Sequence, residues 1–270
     1  MIPSSSATGS EPSPQMKNRF PILLLLSLVP LAASAQTADE IVTKSLAARG
    51  GIEKIKTVQS QRISGTISFG PGADGPFVIE LKRPLKLHME VTLGGQKLVR
   101  VYDGKSKGWT VNPFAEDRNA QPMGPEELKN IDDEADFDGP LVDYQAKGSQ
   151  IELAGKDEVA GKAVHKIKLT RKTAEVRTYY IDAATFDVLK WDGTTRIEDN
   201  DVPVENFLRD YRDVNGLRFP FEIDSDSPGA PQERKITIDK IELDLKIEES
   251  HFSKPPAAPA PPSAPASQEK

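Results

Sequence analysis

Apolar and polar residues alternate along most of this chain. Ile63, Ile67 and Phe69 recur at even spacing, as do Phe77, Ile79 and Leu81, and then Leu85, Leu87, Met89, Val91 and Leu93. Glu80, Lys86, His88 and Glu90 fall between them, so each predicted strand has one apolar and one wet face. Strand-like sequence returns at Leu98–Asp103, Trp109–Val111, Ile151–Leu153, His165–Leu169 and Val176–Tyr180. It continues at Phe186–Ile197, Asn206–Asp213, Leu217–Ile223 and Ile236–Ile247. The pattern predicts about ten to twelve short strands, joined by turns such as Asp192-Gly193 and Asn215-Gly216.

Two segments break the period. Thr37 and Glu40 form a T-x-x-E capping box ahead of Ile41, Val42, Ser45 and Leu46, which predicts an amphipathic helix. Arg49-Gly50-Gly51 stops that helix, and Ile52 and Ile55 predict a second short turn. Residues 113–139 carry little strand pattern, and Pro125 suits the first position of a short helix. The expected fold is mainly β (α+β): a large, strongly curved antiparallel sheet. The N-terminal helix and short helices cover its concave apolar face. A closed barrel is the competing topology.

The two ends read differently. Lys17 and Arg19, the apolar run Phe20–Leu31 and Ala33-Ser34-Ala35 form a signal peptide of residues 1–35, with Met16 a candidate start and cleavage near Ala35. The apolar run is too short for a membrane-spanning helix, so the mature form is expected to be periplasmic, without a transmembrane anchor. Residues 36–253 form one domain, and 254–270 are a Pro/Ala-rich tail lacking large apolar residues, expected to be extended and disordered. It reads either as a tether or as an inert end.

Composition narrows the chemistry. The chain has no cysteine, which excludes disulfides, thiol catalysis, zinc–thiolate sites and a lipobox. A formal net charge of -6, with both signs interspersed, offers no basic face for nucleic acid. Gly104-Lys105-Ser106-Lys107-Gly108 fits a nucleophile-elbow spelling, but both flanks are strand-like and the elbow needs a following helix. As a phosphate loop it fails because Val99 stands where glycine is required. A lysine-rich hairpin turn is the better reading. His88, His165 and His251 lack metal-ligand spacing and read as strand-face histidines. The run Glu134–Gly139 starts like a calcium loop but has Gln145 at the twelfth position, so a solvated acidic loop is expected. No catalytic residue, metal or cofactor is assigned.

Several segments resemble a known family. "ADEIVTKSLAARGGIEKIKTVQSQRISGTI", "VYDGKSKGWTVNP", "VRTYYIDAATFDVLK" and "FLRDYRDVNGLRFPFEI" are similar, in order, to outer-membrane lipoprotein-sorting (LolA-like) periplasmic proteins. So is "DFDGPLVDYQAKGSQIELAGKDEVAGKAVHKIKL". The resemblance implies a curved antiparallel sheet forming an unclosed β-barrel of about eleven strands, with helices in its mouth and an apolar cavity for acyl chains. On that basis the expected partner is the acyl chain of a lipoprotein or another hydrophobic ligand, carried by a monomer without catalysis. Leu85, Leu87, Met89, Val91, Trp109, Val111, Phe219 and Phe221 are the expected lining, and each is equally explained as core. A module sensing envelope proteins and, further behind, an exported hydrolase are the alternatives.

Overall fold

The computed structural model describes Gly9 and residues 36–256, apart from 198–199 and 228–233. The expected signal peptide and nearly all of the Pro/Ala-rich tail lie outside the described residues.

The chain begins with helix α1 (Ala38–Ala48), whose Thr37 and Glu40 make both bonds of the capping box. Gly51 precedes a second helix, α2 (Ile52–Thr57). Six strands follow: β1 (Ser60–Ser68), β2 (Asp74–Lys82), β3 (Lys86–Leu93), β4 (Gln96–Tyr102), β5 (Gly108–Val111) and β6 (Gln121–Pro122). Helix α3 (Pro125–Ala135) comes next, with Pro125 at its first position as expected and the Glu127 carboxylate accepting from Gly124 N–H at 3.0 Å. The remaining strands are β7 (Gln150–Val159), β8 (Lys162–Thr170), β9 (Val176–Asp182), β10 (Val188–Ile197), β11 (Asn200–Val214), β12 (Leu217–Asp226) and β13 (Arg234–Leu243). A 3-10 turn, Glu249–Phe252, follows them.

All thirteen strands form one antiparallel sheet in the order β6-β5-β4-β3-β2-β1-β13-β12-β11-β10-β9-β8-β7. The chain walks from the centre to one edge, crosses to the opposite edge, and walks back until β13 closes on β1. β6 and β7 do not pair, so the barrel is unclosed. The thirteenth strand beyond the expected twelve is β6, whose two residues are too short to show a period. Asp192-Gly193 is not a turn: both residues pair inside β10, opposite Glu205 and Val204.

The order of strands explains the helices. Because β6 and β7 lie at opposite edges, the segment joining them must cross a face of the sheet, and the apolar face is the one that can bury it. Leu128, Ile131 and Ala135 share one side of α3 and pack on Leu81, Leu87 and Tyr102. Ile41 and Val42 of α1 pack on Ile167, Leu169, Tyr179 and Ile181. Ile55 of α2 joins Ile67, Phe77, Val91 and Phe219 in the central cluster.

Candidate functional site

The sheet splits on one side. β10 and β11 pair from Ile197↔Asn200 to Lys190↔Phe207, whereas β11 and β12 stay paired to Val214↔Leu217. Beyond Phe207, β11 therefore runs on without β10. Asp210, at φ 52°, marks the bend. Two ties cross the gap: Tyr211 Oη donates to the Val188 carbonyl at 2.7 Å, and Arg218 holds the Asp187 carboxylate at 2.8 and 3.1 Å.

Between this split and α1 lies a half-enclosed cavity of about 280 Å³. Tyr179, Phe186, Trp191, Leu208 and Phe219 give it apolar walls, and Leu46 of α1 covers it. That volume is near the lower end for ligand cavities, about 300–1,000 Å³. Burial pushes the phenols of Tyr179 and Tyr211 up, so both are neutral walls at ordinary pH.

Arginines fix the rim. Arg177 stacks on Trp191 with its guanidinium 5.0 Å from the ring and bonds Glu175 at 2.7 Å. Arg83 grips the Asp138 carboxylate at 2.6 and 2.7 Å and the Val58 carbonyl at 2.7 Å. Arg49, the residue ending α1, donates to the carbonyls of Phe137 (2.9 Å) and Asp138. Arg49 and Arg83 thus clamp the segment after α3 over one end of the cavity. Burial lowers the Arg49 pKa, with Asp138, Tyr211 and Asp136 opposing the shift, and the guanidinium remains charged.

A second cluster lies on the convex face. His88 and His251 stack with ring centroids 3.9 Å apart, His88 Nδ1 lies 2.8 Å from the His251 carbonyl, and His251 bonds Glu80. Arg62 shares that carboxylate at 2.6 Å. Together with Lys82, which donates to the Ile247 carbonyl at 2.7 Å, they fasten the segment after β13 to the outside of β2 and β3. Spacing in the sequence gives no sign of this pairing, because the two histidines meet only through the return of the chain to the sheet centre.

The other motifs resolve into local structure. Asp103 accepts from the backbone N–H groups of Lys105, Ser106 and Lys107 at 2.8–3.0 Å, so Ser106 sits in a hairpin turn between two strands. In the acidic run, Glu134 pairs with Arg100, Asp136 with Lys147 and Asp138 with Arg83. Each carboxylate serves a different cation.

No family model matches the sequence, and no curated protein does. Solved structures do match. A DUF1329 family protein from Desulfovibrio piger aligns with TM-score 0.55 and 13% identity, over 81% of this chain and 98% of that one. A LolA superfamily protein from Nitrosomonas europaea aligns with TM-score 0.52 and 12% identity, over 82% and 99%. An outer membrane lipoprotein-sorting protein domain from Vibrio parahaemolyticus gives 0.50 and 11%, over 80% and 97%. The fold is LolA-like.

Within the LolA-like sheet the eight expected lining residues separate into groups. Leu85, Leu87 and Met89 lie on the concave face but beneath α3. Val91 and Phe221 belong to the central cluster with α2. Phe219 alone among the eight borders the cavity. Trp109 and Val111 are a correction: Leu87 pairs with Tyr102 and Tyr102 with Gly108, so the next residue, Trp109, points to the convex face. Trp109 packs with Val101, Ile247 and Phe252 there, and Val111 pairs with Val99 on that same face. The residues that do wall the cavity, such as Trp191 and Leu208, fell within predicted strands whose lateral order no local period reveals.

Proposed function

We propose that this protein is a periplasmic, non-catalytic carrier that holds the acyl chain of a lipoprotein, or another hydrophobic ligand, in the cavity beneath α1. The observation that carries this reading is the apolar cavity at the split of an unclosed sheet. The LolA-like fold and the neighbour named for lipoprotein sorting support it. Residues 1–35 act as the export signal, 36–253 as the carrier domain and 254–270 as a tail outside it.

Magnitudes limit what the closed form holds. Each methylene taken from water contributes about 0.8 kcal/mol, so a chain of about ten contributes roughly 8 kcal/mol. Association costs about 4–15 kcal/mol, so a single short chain binds modestly. A cargo with several chains requires more surface. Moving α3 supplies it, because Leu85, Leu87 and Met89 lie directly beneath that helix. In this reading cargo replaces α3 on the sheet, and those three residues join Phe219 as lining.

Native mass spectrometry of protein exported to the periplasm tests the proposal. The expected result is a co-purified lipid adduct, or uptake of a fluorescent fatty acid after delipidation. Absence of both contradicts it.

A further inference from the structure

Four arginines border the cavity or its clamp, and three have carboxylate partners. Arg83 is matched by Asp138, Arg177 by Glu175 and Asp133, and Arg218 by Asp187. Arg49 has none among the described residues. Among the described residues its side chain donates to two main-chain carbonyls, through Nη1 and Nη2. A guanidinium has five N–H donors in a fixed fork, so donors remain beside an apolar wall. Asp138, the carboxylate with the largest effect on the Arg49 charge, is already gripped at both oxygens by Arg83. Asp138, Tyr211 and Asp136 act on the Arg49 charge only at a distance, so a desolvated guanidinium has no carboxylate in direct contact, a costly arrangement that an anion would complete. The Phe219 ring, 6.0 Å from the Arg49 guanidinium, ties this charge to the apolar wall.

We infer that the cavity selects single-chain anionic amphiphiles, with the carboxylate or phosphate head on Arg49 and the tail between Trp191, Tyr179 and Leu208. This rests on the cavity being the ligand site.

The test compares matched ligands on the full exported chain: dodecanoate, dodecyl phosphate, dodecanol and inorganic phosphate, each by titration calorimetry at low salt. The expected result is that either anionic amphiphile binds at least about tenfold tighter than dodecanol, in line with a charge-assisted bidentate contact. Inorganic phosphate alone binds far more weakly than dodecyl phosphate, which separates an amphiphile site from a free-anion site. Arg49→Gln brings the anionic-to-neutral ratio within about twofold, and Arg49→Lys retains part of it. Equal binding of dodecanoate and dodecanol by the natural protein overturns the head-group inference while leaving the carrier reading intact, and needs no variant. Inorganic phosphate binding as well as dodecyl phosphate, or a preference that survives Arg49→Gln, also overturns it. Binding by none of the four overturns this inference, and together with no lipid adduct on the exported protein it removes the carrier reading as well.

Discussion

A β-carbon at Gly50 would stand 2.5 Å from the Gly216 carbonyl oxygen and 2.6 Å from Leu217 Cδ2, at a φ of +124°. The neighbouring Arg49 carbonyl accepts from Arg218 N–H at 2.9 Å, so the end of α1 is seated against the β11–β12 hairpin through this glycine. Gly50→Ala should cost about 2–3 kcal/mol, read as a fall in denaturant midpoint at constant slope. An unchanged midpoint would show that the seat is loose. Asp103 gives a pH-dependent case. Burial raises its pKa, but the three backbone N–H groups outweigh that and hold the carboxylate below its usual value. Its stabilisation is full above the unfolded pKa of about 3.9 and is lost as pH falls through the lower folded value. Asp103→Asn should therefore be less stable at pH 7, with the gap starting to close near about pH 4 and vanishing only below the lower folded value of Asp103. A gap that persists in acid would assign the effect to shape rather than charge. The turn itself was legible from Asp103-Gly104, because side-chain chemistry at such a position is local.

Among the helices, α3 is anchored by ion pairs from two sides of the sheet. Asp133 and Glu134 lie near its C-terminal end, where the helix dipole disfavours them, and no basic residue occupies its last turn. Their compensation comes from opposite walls of the sheet: Arg100 of β4 on Glu134, and Arg171 with Arg177 of the β8–β9 side on Asp133. Asp133→Asn should loosen one wall only. Amides of 125–135 should then exchange about 5–30-fold faster while the β1–β2 amides keep their rate. If α3 exchanges at the same rate as the sheet in both proteins, it is core and not a movable cover. The sequence announced a helix at Pro125 and its seat on the apolar face, but not which strands it lies across, since that follows from β6 and β7 ending at opposite edges. Conversely, α1 was legible down to its capping box, because both partners lie within four residues.

At the scale of the whole molecule, alternation was enough to predict a one-faced antiparallel sheet but not whether it closes; the strand order leaves it open, as the family resemblance implied. It did not fix which phase of each strand faces inward. In β5 the turn at Asp103–Lys107 pairs Tyr102 with Gly108, so the small residue takes the concave side and Trp109 the convex one. Nor could alternation show the split between β10 and β11, where pairing ends at Lys190↔Phe207 three residues before the left-handed Asp210. The chain has two tryptophans, Trp109 and Trp191, and the fold places them on opposite faces. This makes them reporters of where a ligand sits. The most direct test is quenching by a fatty acid brominated along its chain, in Trp109→Phe and Trp191→Phe variants. The cavity account predicts strong, saturable quenching of Trp191 in Trp109→Phe, and little quenching of Trp109 in Trp191→Phe. Quenching of Trp109 with Trp191 untouched would contradict it.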